Sequence, residues 1–218
     1  TRLGGDNLVV GAMAVIVWVG LYLPQVFSAR VGQALEWKKP WVIRYALYQR
    51  LSLLGMGVAV YFLAQGSPGL TLALFLLLFA FNQVMLGVQT PVWVDMFAKL
   101  TPLDRRGRLT GLRNSLAGVV SFTSGLFLAW VLGTYEFPLS FSIVFCAAFL
   151  FEGLSIFLMA RLVEEFPSRV PARQPVMQYL RHLPEVLRAN AGFRAYLVAS
   201  VFLVLATMPL SFFTVYAI

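Results

Sequence analysis

The run from Leu70 to Val94, LTLALFLLLFAFNQVMLGVQTPVWV, carries no charge, and the run after it, Asp95 to Arg113, reads DMFAKLTPLDRRGRLTGLR and is crowded with charge. Roughly 20 apolar residues in a helix, rising 1.5 Å each, cross the hydrocarbon core of a bilayer. The first run is therefore long enough to span, and the second starts as a water-facing bend. Five further apolar stretches repeat the pattern: about Leu8 to Ala29, Trp41 to Ala64, Leu112 to Gly133, Pro138 to Ala160, and Phe193 to at least Ile218. None alternates polar and apolar residues as a barrel strand does, so helices are expected. The 218 residues are 60% hydrophobic and 12% charged, with mean hydropathy +0.80. A soluble domain is nearer 25% charged, so an ordinary soluble enzyme, a coiled coil and a disordered chain are excluded.

The connectors alternate in charge. Residues 30–44 carry Arg30, Lys38, Lys39 and Arg44, and residues 98–113 carry Lys99, Arg105, Arg106, Arg108 and Arg113. Residues 161–194 carry Arg161, Arg169, Arg173, Arg181, Arg188 and Arg194, and these three connectors hold all but two of the 17 basic residues. The connectors Gln65 to Gly69 and Thr134 to Pro138 hold none. Basic loops stay on the cytoplasmic side, which predicts a multi-pass protein of a bacterial inner membrane with both chain ends outside. The net charge of +8 then serves orientation and contact with anionic lipid, and no nucleic-acid partner is expected. The chain starts at Thr1 beside one apolar run and stops at Ile218 inside another, which reads as a piece of a longer protein cut at both ends. Residues 1–7 lack a basic segment and the first span is too long for the apolar part of a signal peptide, so none is expected in this stretch.

The long third connector holds Glu164, Glu165, Pro167, Pro171 and Pro175. Val176, Leu180, Leu183 and Leu187 then recur at helical spacing beside Arg181, Glu185 and Arg188. This predicts a short amphipathic surface helix, broken near Pro184, that tethers two membrane bundles. His182 falls here and reads as solvated. With one histidine and one cysteine, Cys146, there is no metal-ligand cluster, no nucleophile elbow and no phosphate-binding glycine loop, so neither an enzyme nor a metal or organic cofactor is expected.

Polar groups inside spans are costly and mark the places where function is sought. Arg50 and Glu152 lie inside two different spans. They read as a snorkelling arginine with a protonated acid, as an ion pair between spans, or as a proton relay through Glu152. Asn82, Gln83 and Gln89 share the third span. Asn82 and Gln89 are seven apart on one helix face, either toward an aqueous cavity or bonded to a neighbouring helix. Pro91 predicts a kink and freed carbonyls. Gly111, Ser115, Gly118, Ser121 and Gly125 mark one side of the fourth span, where small residues let another helix approach. Asp95 ends one helix close to the basic turn at Arg105 to Arg108. It reads as half of a latch that forms in one conformation and breaks in another, or as part of an ordinary charged loop.

In these features the chain resembles the major facilitator superfamily of secondary transporters. The turn with Pro102, Arg105, Arg106 and Gly107 looks like that family's loop between its fourth and fifth helices. The long amphipathic connector looks like its central loop, and Phe193 to Ile218, with Pro209, Phe212 and Tyr216, like the start of its second half. Lys38 and Lys39 fit the basic end of the loop after its second helix, with Glu36 as a loose counterpart of the usual aspartate. The glycine–proline signature of its drug antiporters is missing from the fourth span.

The resemblance implies an all-α bundle matching helices two to seven of twelve. Residues 1–162 would hold most of the first half, 163–192 the linker, and 193–218 the first helix of the second half. It implies a monomer that moves a small solute by alternating access, driven by the proton or by nothing. The expected solute-binding residues are Asn82, Gln83, Gln89, Thr207, Ser211 and Tyr216, and the expected latch residues are Lys38, Lys39, Asp95, Arg105, Arg106 and Arg113. A membrane scaffold or sensor that keeps the fold, and a lipid enzyme, are the competing readings.

Overall fold

The computed structural model describes residues 7–168, 170, 184–185 and 187–207. The chain divides into two compact units, Thr1–Val170 and Pro171–Ile218. In the first unit five helices follow one another: α1 (Asn7–Gln33), α2 (Lys39–Leu63), α3 (Pro68–Leu100), α4 (Arg106–Thr134) and α5 (Leu139–Ala160), with a 3-10 turn at Leu103–Arg105 before α4. In the second unit α6 runs Ala191–Thr207. The rest of the predicted sixth span, residues 208–218, lies outside the described residues, as do His182 and most of the predicted amphipathic helix. Among the described residues there is no strand.

All five helices of the first unit are long and apolar enough to cross a membrane. The distribution of side chains supports that solvent. Phe62, Leu77, Phe122 and Phe151 stand on the outside, each at least 66% exposed. Meanwhile eleven polar or charged residues but only nine hydrophobic ones are buried among the described residues. A water-soluble domain has the reverse order. Among the described residues the chain is all-helical, with five helices of the length and apolarity of a multi-pass membrane protein.

The helices overshoot their apolar runs at the basic end. The first reaches Gln33, the third Leu100, and the fourth begins at Arg106. Two prolines start helices where a missing N–H costs nothing: Pro40 in the first turn of α2 and Pro68 in that of α3. Pro91 sits inside α3 without ending it. The proline removes the bond that its nitrogen would give to the Gly87 carbonyl, and the Ser28 hydroxyl of α1 donates to that carbonyl at 3.5 Å. A side-chain hydroxyl thus re-satisfies backbone freed inside a membrane.

α3 is the centre of the unit, packed between α1 and α2, and α2 packs in turn on α5. Glycines set the closest approach. A Cβ on Gly87 would lie 2.5 Å from the Leu21 carbonyl oxygen and 2.7 Å from that of Gly20. A Cβ on Gly20 would meet the Gln83 Cβ at 2.8 Å, and one on Gly32 would meet Val92 at the same distance. Close helix contact through small residues is therefore built by α1 and α3. The stripe in α4 behaves differently: Gly111, Gly118 and Gly125 have open space around them, and Val131 alone is buried in that helix. Within the first unit, no described residue lies against the predicted packing face of α4 at these glycines.

Candidate functional site

Two polar constellations occupy the first unit, one deep in the helices and one at their basic end. The deep one starts at Gln49 and Arg50 of α2. Arg50 is eleven residues from Lys39, so it stands about 16 Å along the helix, near the middle of the span. Asn82 of α3 donates to the Gln49 carbonyl at 3.0 Å and to the Ser52 hydroxyl at 2.9 Å. Gln89 donates to the Gln49 side-chain carbonyl at 2.9 Å, and Arg50 Nη1 donates to that same oxygen at 3.0 Å. Gln49, Asn82, Gln83 and Gln89 are all buried.

Arg50 joins this ladder to α5. Its Nε donates to the Glu152 backbone carbonyl at 3.0 Å, Nη1 also to the Ala46 carbonyl at 3.1 Å, and Nη2 to the Ser155 hydroxyl at 3.2 Å. The Glu152 carboxylate stands off. Its Oε2 is 3.7 Å from Nε and accepts no hydrogen bond among the described residues, although the atom is buried. The structure thus brings the two intramembrane charges together, but through neutral acceptors and a loose ion pair.

Beside this arginine lies a cavity of about 160 Å³. Its polar wall is Arg50, Gln89, Thr90 and Ser155, and its apolar wall is Val42, Ala46, Trp93 and Met159. Of the three amides expected to share a site, Gln89 lines this cavity. Asn82 is spent on α2, and Gln83 packs where α1 crosses α3. Thr207 ends α6 with its side chain outside the described ones, and Ser211 and Tyr216 lie outside the described residues.

The second constellation clasps the helix ends. Lys38 ion-pairs with Asp95, its side chain 7% exposed against 52% for the aspartate. Lys39 Nζ donates to the Ala160 and Leu162 carbonyls, both at 2.7 Å. Arg106 turns back to the Thr101 carbonyl at 3.1 Å and to that of Ala98, closing the end of α3. Among the described residues Arg105 pairs with its neighbour Asp104 alone, at 3.8 Å and well exposed. Arg113 lies over the Trp93 ring, 5.6 Å from its centre, a cation–π contact from α4 to α3. Asp95 therefore takes Lys38 as its partner, and the basic turn before α4 serves its own helix ends.

The residue that organises the clasp is Glu164, which stands at the start of the linker rather than within a span. Its carboxylate accepts from the backbone N–H groups of Lys38 and Lys39 and from Lys99 Nζ. It is a carboxylate at the N-terminus of α2, where unpaired N–H groups and the helix dipole favour negative charge. Burial works against its ionisation. The hydrogen bonds from Lys99, Lys39 and Lys38, with the charge of Lys99, outweigh burial and hold the carboxyl below its ordinary value. Four residues on, the Ser168 N–H donates to the Glu36 carbonyl at 2.9 Å, so the segment after α5 straps the loop between α1 and α2. The available signal was an acidic pair directly after a span in a chain with 9 acids and 17 bases. Among the described residues no group of acids, histidines and cysteines could hold a metal ion.

Compared with known proteins, the chain matches no family model, no curated protein and no solved structure.

Proposed function

We propose that the chain is part of a secondary transporter of the major facilitator kind, moving a small solute by alternating access. The observation that carries this reading is a cavity beside a membrane-buried arginine, walled by Gln89, Thr90 and Ser155 from two further helices. Charge in a span is costly and is kept where it serves a pathway or a partner. The clasp supports the same reading, since the bonds of Lys38, Lys39 and Lys99 tie α2, α3 and the end of α5 at one face. Such ties hold a bundle closed on one side and release when it opens. With the basic loops cytoplasmic, the clasp belongs to the cytoplasmic face, and the driving ion is the proton or none.

One observation favours a second reading, a membrane scaffold that keeps the fold without transport. Most of the ladder is satisfied internally: Asn82, Gln49 and Gln89 are bound to one another across α2 and α3. Uptake by the intact protein in sealed vesicles separates the two. The transporter reading expects saturable uptake of at least one small solute, lowered by Gln89→Ala with normal insertion. A correctly inserted protein that takes up no member of a broad solute panel overturns it in favour of the scaffold.

A further inference from the structure

We infer that the Arg50 cavity is a binding site for a short-chain monocarboxylate, which takes the place of Glu152 as the counter-ion of Arg50. For transport the inference rests on the reading above; for binding it stands on the cavity alone.

Three observations carry it. First, the guanidinium is incompletely used. Among the described residues, Arg50 donates four hydrogen bonds, all to neutral oxygens, and Nη2 has a single partner, Ser155, itself on the cavity wall. A guanidinium has five N–H donors, so one remains at that nitrogen. Second, its carboxylate neighbour is displaced. A charge-assisted N–H···O bond is about 2.7–2.9 Å long, whereas the approach of Glu152 to Arg50 is 3.7 Å and its buried Oε2 accepts nothing. Arg50 therefore has only a loose ion pair and one N–H to spare at Nη2, and a carboxylate oxygen is the acceptor that makes the stronger, charge-assisted bond to it. Third, the cavity has two ends of different chemistry. Arg50, Ser155 and Gln89 can meet a carboxylate head, while Val42, Trp93 and Met159 offer an apolar wall for a short body. At about 160 Å³ it matches a cavity that holds benzene, roughly six heavy atoms. That volume admits propionate, and a second carboxylate laid against the apolar wall would be unpaired.

The test is equilibrium binding of labelled propionate to the intact protein in detergent or nanodiscs, with propionamide as the neutral isostere. Wild type is expected to bind propionate saturably, and propionamide to compete poorly. Glu152→Gln removes the competing charge while keeping shape, and should tighten propionate binding about tenfold, close to 1.4 kcal/mol. Propionate should also raise the melting temperature of that variant more than that of wild type. A purely structural Arg50–Glu152 pair gives the opposite result, a destabilised Glu152→Gln protein that propionate does not rescue. Arg50→Gln should abolish binding. Because that variant risks misfolding, Ser155→Ala serves as the second probe and should weaken binding several-fold at unchanged melting temperature.

Absence of propionate binding in both wild type and Glu152→Gln overturns the inference, as does tighter binding of decanoate, which would make the ligand a lipid. Binding without flux leaves the site standing and removes the transporter reading. Flux of another solute without carboxylate binding does the reverse.

Discussion

Glu164 Oε1 accepts a hydrogen bond from Lys99 Nζ at 2.7 Å, across a sequence separation of 65 residues. The same carboxylate closes the first backbone N–H groups of α2. One side chain beyond α5 thus joins the start of α2 to the end of α3. Its side chain is 4% exposed, so water cannot stand in for it. Glu164→Ala is expected to cost about 1.5–3 kcal/mol, the range for hydrogen bonds to a charged group. Thermal unfolding in a fixed detergent measures this. Glu165→Ala, altering the exposed neighbouring acid, should stay within about 0.5 kcal/mol.

The clasp sets a pH dependence. The Glu164 carboxyl is held below its ordinary value of 4.5, so ionisation favours the folded state. Its contribution is complete above the ordinary value and is lost as pH falls through the lowered, folded one. The melting-temperature difference between wild type and Glu164→Gln should therefore be flat near neutral pH and close in acid, below pH 4.5. A difference that grows on acidification would contradict the assignment.

Lys38 and Asp95 are unequal partners, the ammonium buried and the carboxylate half exposed. Removing the partner of the buried charge is the costlier change. Asp95→Asn is expected to destabilise by about 3 kcal/mol, and Lys38→Met by about 1 kcal/mol. The double variant should lie nearer Lys38→Met than the sum of the two. If the clasp gates transport, Asp95→Asn should also raise the labelling of cysteines placed in the basic loops.

Gly87 and Gly118 make a matched pair. Alanine at Gly87 would drive a methyl into two carbonyl oxygens of α1, a contact only helix separation relieves. A loss of about 1–3 kcal/mol is expected, the cost of overpacking. Alanine at Gly118 meets open space and, as a better helix former, should leave this chain's stability unchanged or slightly raised.

Asn82 tests whether the ladder is scaffolding. Asn82→Ala removes two buried hydrogen bonds, to the Ser52 hydroxyl and the Gln49 carbonyl, and should lower the melting temperature by an amount equivalent to about 1–3 kcal/mol. Uptake per folded molecule should be retained, whereas Gln89→Ala should lower it. Equal loss of uptake in both variants would place Asn82 in the solute path after all.

How much could be read in advance differs from residue to residue. The five spans of the first unit were legible because crossing a bilayer is a property of one segment's length and apolarity, needing no knowledge of neighbours. The charged bends were legible for the same reason. Arg50 and Glu152 were recognisable as costly, but their meeting was not, since 102 residues separate them. Where two helices touch depends on how each is rotated, and helices apolar nearly all round do not show in sequence which side faces inward. The small-residue stripe of α4 stood out by spacing. The close crossing was made instead by Gly20, Gly32 and Gly87, because the backbones of α1 and α3 approach there.

By itself, then, the sequence determined an all-helical chain threading a membrane, with its bases gathered in alternate bends, because transfer into hydrocarbon is decided segment by segment. Only the tertiary structure decided that Asp95 answers to Lys38, that Glu164 ties α2 to α3, and that Gln89 rather than Asn82 reaches the Arg50 cavity. Each is a short-range contact between groups far apart in the chain, and such contacts exist only once the helices have packed.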